Sequence, residues 1–396
     1  MASETVIPGL QQSPPAAPIP AKGSSRLLFV DNIRIFLTIV VILHHLMIIY
    51  AGSGGWIFHE GREDEITNAL GSWFCNVNQA YFMGLFLLIS AYFVPGSYDR
   101  KGPVRFVVDR LVRLGIPLAV YSWILRPLFI YIVLNRGEGL PFGGWYETAY
   151  FRLYGLLGGG PLWFIELLLL FSLVYATAHL FTSWRLPRPA PEARFPSSGW
   201  VALFALLVGL VTFLVRLGFH VNTRFEPLNF QFANFTQYIA LFVAGLVAYR
   251  RNWLLSLPDR VGRLWLWIAV VLILIFPPMA LLAGAENDEP FLGGWYWQSM
   301  LYAQWEALLC VSMCIGLIYL FRRRRDRQGP VARELSRAAY GAYLIHEPVI
   351  TALAVVTAGV ALYPLLKFAL AAVASVPLCF ALAALIRKLP YFDRVL

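Results

Sequence analysis

Charge is scarce in this chain. Only 14% of its 396 residues are Asp, Glu, Lys or Arg, where a soluble domain carries about 25%. Hydrophobic residues make up 59% of the sequence and the mean hydropathy is +0.64. These values exclude the two or three soluble domains that the length alone would suit. Cysteine is scarce too, and the four present make no disulfide framework. Cys310 and Cys314 lie four apart on one helix face and Cys75 falls in a loop between apolar runs, so they read best as small buried residues. No His, Cys, Asp or Glu cluster has metal-ligand spacing, and no metal is expected. No internal repeat, long linker or nucleic-acid-binding motif is found, so nucleic acid is not an expected partner. Residues 1–25 lack the charged start and apolar core of a signal peptide. Their Pro, Ala and Ser content reads as a disordered tail.

What the chain has in abundance is long apolar runs. A bilayer-spanning helix needs about 20 such residues. Runs of that kind fall at 32–50, 81–98, 115–134, 161–183, 200–218, 234–250, 264–282, 298–321, 338–358 and 362–386. The fold class expected is therefore all-α, a polytopic membrane bundle of about ten transmembrane helices, with the lipid bilayer as its solvent. The sixth run is the weakest, since it opens on Asn234, Thr236 and Gln237, and a nine-span reading is its rival. Basic residues decide between them. With both termini inside, the inner segments hold most of the 32 basic residues, including Arg26, Arg34, Arg100 to Arg113, Arg250 to Arg263 and Arg322 to Arg337. The outer loops hold Glu60, Glu63, Asp64, Glu65, Glu286, Asp288 and Glu289. Ten spans satisfy this positive-inside asymmetry without exception. The net charge of +10 is then topology, and the expected location is the plasma (cytoplasmic) membrane, multi-pass with cytoplasmic termini.

Polar groups inside spans are costly, so they are functional candidates by default. The first span carries Arg34 and, eleven residues later, His45. At 1.5 Å per residue that is about 16 Å, which puts Arg34 at the cytoplasmic mouth and His45 near mid-membrane. His44 faces about 100° away on the helix, so both imidazoles cannot serve one site. Arg110 and Arg113, one turn apart before Pro117, share a helix face. Two guanidiniums there suit phosphate groups, or are simply a positive-inside flank.

The order Arg34-x10-His45, Phe86-Leu-Leu-Ile-Ser-Ala-Tyr-Phe93, Arg110-x-x-Arg113, Gly160-Pro-Leu-Trp163-Phe164 and Tyr340-Gly-Ala-Tyr343-Leu-Ile-His346-Glu347-Pro348 resembles the acyltransferase-3 family of membrane O-acyltransferases. The resemblance covers about residues 27–386 and fits the short form without an attached hydrolase-like domain, as in glucan-modifying members. It makes 26–390 the catalytic transmembrane domain. It implies transfer of an acyl group, often acetyl from acetyl-CoA as co-substrate, onto a hydroxyl of a glycan or small glycoside. One departure is His44, where the family often has Tyr or Phe.

Acyl transfer from a thioester to an alcohol needs a base, a cation for the donor's phosphates and a stabiliser of the developing oxyanion. Histidine is the residue best poised as base near neutral pH, which gives His45 that role and Arg34, Arg110 and Arg113 the phosphates. Counting helical rise puts Arg126, Glu166, Glu306, His346 and Glu347 in the middle-to-outer zone near His45. A carboxylate orienting the imidazole is expected there, Glu166 first and Glu306 second, with His346 as a further catalytic candidate. Arg126 and Glu306 are candidates for binding the acceptor, or Arg126 forms an ion pair with a glutamate that only holds the bundle. Trp163 lines the substrate path or anchors at the lipid interface. The aromatic outer loops 51–80 and 135–160, with Trp56, Trp73, Trp145, Tyr146 and Tyr150, suit sugar rings or interfacial anchoring. A secondary transporter would also place ionisable groups at mid-depth. The chain lacks the repeat symmetry and matched broken helices of that class. The sequence does not name the acceptor, the acyl length or the oligomeric state.

Overall fold

A computed structural model describes residues 26–390 apart from 52–53, 61–63, 135–138, 151, 153–159, 182–193, 222, 226–227 and 229. The expected disordered tail at 1–25 lies outside the described residues. Ten helices among those described are long and apolar enough to cross a membrane. In chain order they are α1 (Leu28–Ala51), α2 (Glu65–Lys101), α3 (Pro103–Val133), α4 (Gly160–Phe181), α5 (Ser198–Arg216), α6 (Phe232–Arg250), α7 (Asp259–Leu282), α8 (Trp297–Arg324), α9 (Pro330–Val356) and α10 (Pro364–Ile386). Beyond them the described residues hold only short helical turns and one isolated bridge between Phe225 and Phe230.

Burial sorts the helices. In the most apolar stretch of α1 and of α8, 72% of residues are buried, against 17% in α7. So α1 and α8 are central and α7 is peripheral. α1 packs on α2, α9, α10 and α8, while α8 also takes α5 and α7. Contacts between chain ends show the up-and-down order. At one end Phe29 N–H donates to Asp326, Arg250 pairs with Asp99, Arg322 donates to the 254–257 carbonyls and Arg387 pairs with Glu334. At the other end Lys367 pairs with Glu60, and the Tyr363 hydroxyl donates to Asp64. The first end is rich in arginine.

Helices α2, α3 and α9 start well before the apolar runs that mark them. α2 begins at Glu65 rather than near 81, so Cys75 is buried in a helix and not in a loop. Polar residues that lower the local hydropathy are absorbed by the helix itself: Asn76 donates to Ser72 O and Asn78 to Phe74 O. Asp64 caps the start by accepting from the Thr67 N–H and hydroxyl. Those donors and the Tyr363 hydroxyl hold the Asp64 carboxyl below the usual carboxylate range. The weak sixth span is real. Asn234 at its start accepts from Arg216, and Gln237 donates to Ala80 O at 2.7 Å.

Prolines free backbone carbonyls, because each removes the N–H that would bond four residues back. Inside a bilayer no water takes over that bond. At Pro117, Pro127 and Pro277 aromatic side chains do. Pro117 in α3 frees Arg113 O, which accepts from the Tyr340 hydroxyl at 2.7 Å. Pro127 frees Trp123 O, which accepts from the Tyr146 hydroxyl at 2.9 Å. Pro277 in α7 frees Ile273 O, which accepts from Trp73 Nε1 at 3.0 Å. Each α3 proline also follows a wide π turn, at Leu111–Gly115 and Tyr121–Leu125, which makes room for its ring.

A very close helix contact lies between α2 and α6. A Cβ on Gly245 would sit 2.3 Å from Leu88 O, so only glycine permits this approach. Gly245→Ala should destabilise the bundle by roughly 1–3 kcal/mol, read as a lower thermal unfolding midpoint in detergent. An unchanged midpoint would contradict the packing.

Candidate active site

The centre of the site is a pair of histidines from two helices. His45 on α1 and His346 on α9 stack with ring centroids 5.0 Å apart, and His45 Nδ1 lies 2.9 Å from His346 Nε2. The pair lies toward the end of the bundle opposite the arginines. His346 is fully buried, whereas His45 keeps partial exposure. His346 Nδ1 lies 2.5 Å from Tyr343 O. Pro348 follows two residues later in α9.

This geometry dictates the tautomers. A carbonyl can only accept, so His346 Nδ1 carries a proton. In the neutral ring Nε2 then holds the lone pair and must accept from His45 Nδ1–H. His45 is left with its lone pair on Nε2, for which no protein donor is found among the described residues. A proton taken up at that Nε2 would be shared through Nδ1–H with His346 behind it. Trp56, from the loop after α1, stacks on the His45 ring at 4.3 Å and 25°, while its Nε1 donates to Thr351 Oγ1 at 3.1 Å. The outer aromatic loop therefore reaches the imidazole itself. His44, by contrast, is buried against Phe82 and its Nδ1 has no partner.

One residue beyond His346, Glu347 forms a buried ion pair with Arg126 of α3 at 3.1 Å and accepts from the Tyr121 hydroxyl. Both partners are nearly inaccessible, at 1% and 5% side-chain exposure. Gly160 opens α4 against this pair with φ +49, and a Cβ there would lie 2.7 Å from Arg126 Nε and 2.9 Å from Glu347 Oε2. Pro161 O accepts from the Tyr343 hydroxyl. The Gly-Pro-Leu-Trp segment thus docks α4 onto α3 and α9 beside the histidines, with glycine required by space and by backbone angle.

Other sequence candidates fall elsewhere. The expected carboxylate partner of His45 is His346 instead. Glu306 is taken by Arg216 at 2.6 Å, in a buried network with Asn234. Glu166 is buried near the start of α4, and neither carboxyl oxygen has a hydrogen-bond partner among the described residues. Helical rise gives depth but not direction around the axis, which is why similar depth did not imply contact. Arg126 does form the ion pair with a glutamate. Trp163 stacks on Tyr238 at 5.4 Å and packs into the bundle, not outward at the interface.

The three arginines lie at the arginine-rich end. Arg34 is held by Asp31 at 3.5 Å and lies over the Phe93 ring. Arg110 lies over Phe106, feels the charges of Asp109, Arg113 and Arg34, and keeps a buried Nε without a partner among the described residues. Arg113 is exposed and shares Asp109 with Lys101. Two carboxylates, Asp31 and Asp109, among Arg34, Lys101, Arg110 and Arg113 leave an excess of positive charge.

A family model described as an acyltransferase domain matches residues 27–384, nearly the whole chain. The protein belongs to the acyltransferase-3 family. It is a multi-pass membrane acyltransferase with no attached extra domain within the matched chain. No curated protein and no solved structure matches it significantly.

The buried ion pair has a sharp signature. Glu347→Ala would leave Arg126 buried without this counter-charge, at a cost of about 3–5 kcal/mol. The double variant Glu347→Leu/Arg126→Met should recover most of that loss, measured as the thermal unfolding midpoint. Equal instability of the single and double variants would contradict a simple pairing role.

Proposed function

We propose that this acyltransferase moves an acetyl group from acetyl-CoA to a hydroxyl of a glycan or small glycoside, with His45 as general base. The observation that carries the proposal is the His45–His346 hydrogen bond, because it leaves the His45 lone pair on Nε2 and puts a proton acceptor behind the ring. His45 Nε2 takes the acceptor's hydroxyl proton as that oxygen attacks the thioester carbonyl. His346 Nε2 shares the added charge through the Nδ1–H of His45. Collapse of the tetrahedral adduct breaks the C–S bond, and the proton on His45 Nε2 passes to the departing thiolate. The products are the ester and the free thiol, so atoms and charge balance.

The donor's phosphates would lie at Arg34, Arg110 and Arg113. Phosphate oxygens would supply the partner that the Arg110 Nε lacks and offset the local positive excess. The arginine-rich end would face the cytoplasm, where acyl-CoA is found, with both termini on that side of the plasma membrane. Trp56 presents an aromatic face beside His45, and such faces suit sugar rings. Family membership and an imidazole poised as a base favour catalysis over the secondary-transporter reading.

Purified protein in lipid nanodiscs, given acetyl-CoA and candidate glucans, tests the base and the donor site. His45→Ala should lower transfer by about 100-fold or more, while His44→Ala should cost far less. Equal small losses at both positions would remove His45 from the role. The Arg110→Ala/Arg113→Ala variant should raise the KM for acetyl-CoA and leave that for a short thioester lacking the nucleotide nearly unchanged. An unchanged acetyl-CoA KM would return these residues to topology alone.

A further inference from the structure

The outward face of α7 is used by none of the chemistry above. α7 turns Gly262, Trp265 and Ala269 inward, all buried. A Cβ on Gly262 would sit 2.4 Å from Tyr319 Cβ, so this face is locked on α8. The opposite stripe begins with Arg260 and Arg263, followed by Leu264, Trp267, Val271, Leu274 and Ile275. Those five apolar side chains are 48–63% exposed. At the start of the stripe lies an open groove of about 410 Å³ lined by Arg260, Arg263, Leu264 and Trp267. The nearest carboxylate, Asp259, is already engaged by Arg322 and Arg323. Arg260 and Arg263 form no ion pair among the described residues, although Arg263 bonds the Tyr319 hydroxyl.

We propose that this groove binds one anionic phospholipid, with its phosphate between Arg260 and Arg263 and an acyl chain laid along Leu264, Trp267 and Val271. The order of chemistry along the helix matches such a molecule: cations at the headgroup end, an aromatic ring at the boundary, then apolar side chains at hydrocarbon depth. A second copy of the chain fits less well. Two copies share the same depth and orientation in a bilayer, so a symmetric contact through this face would bring the unpaired arginines of both against each other.

The experiment uses the full chain reconstituted in phosphatidylcholine nanodiscs with a minority of phosphatidylglycerol, released into mild detergent for native mass spectrometry. The wild type should retain one phosphatidylglycerol in preference to phosphatidylcholine. Arg260→Gln/Arg263→Gln should weaken that retention by about tenfold or more. Arg324→Gln/Arg325→Gln, which removes the same charge from the same end outside the groove, should leave it unchanged. Equal loss in both variants would reduce the effect to general surface attraction and overturn the site, as would no loss in either. Glycerol phosphate in excess should not displace the lipid, and displacement would show that the headgroup alone is recognised. A Trp267→Cys variant that forms intermolecular disulfides in the bilayer would assign the face to a second copy instead.

Discussion

The rest of this structure depends on the absence of water inside a bilayer. A backbone or side-chain polar group left unsatisfied at membrane depth is costly, and the protein itself must supply most of the partners. Pro117 and Pro127 in α3 and Pro277 in α7 would leave carbonyls bare, and tyrosine or tryptophan donors from other elements reach those three. These bonds act as long-range staples. Tyr340 joins α9 to α3, and Trp73 joins α2 to α7. A local defect in one helix thus becomes a tertiary contact that fixes its rotation against another.

The same constraint shapes the site. Arg126 and Glu347 cannot stay charged at depth unless they meet, and their meeting brings α3 to α9 one residue from His346. Gly160 lets the start of α4 close over the pair, and Tyr343 ties that turn down through Pro161 O. With the α9 backbone held there, Tyr343 O fixes the proton of His346, and His346 fixes the tautomer of His45. The chain of cause runs from a buried ion pair through one helix to the protonation pattern of the His45 ring. Trp56 stacks on His45 with its ring 6.2 Å from that of His346, and is held by Thr351.

Much of this is legible in the sequence, and the missing parts share a physical reason. Apolar run length gives the spans, and the basic segments count them even where Asn234 and Gln237 weaken a span. The start of α2 is hidden because hydropathy cannot see asparagines bonding back to their own helix. The candidate residues are found because charge and imidazole at depth are rare: His346 and Arg126 are buried and His45 is partly so. Their pairing is not legible. Helical rise fixes depth, but the partner of Arg126 depends on which helices are neighbours, so Glu347 and Glu306 are indistinguishable before α9 is placed beside α3. Likewise the role of Gly160 is a matter of space that only the neighbouring Arg126 and Glu347 define.

The central claim is that His45 and His346 act as one unit in proton transfer. The most direct test is a double-variant cycle on kcat/KM for acetyl transfer with His45→Ala, His346→Ala and the combined variant, each checked for an intact fold. Groups acting as a unit give strongly non-additive losses. The account predicts that the double variant is no slower than His45→Ala alone. Losses that multiply independently would contradict it.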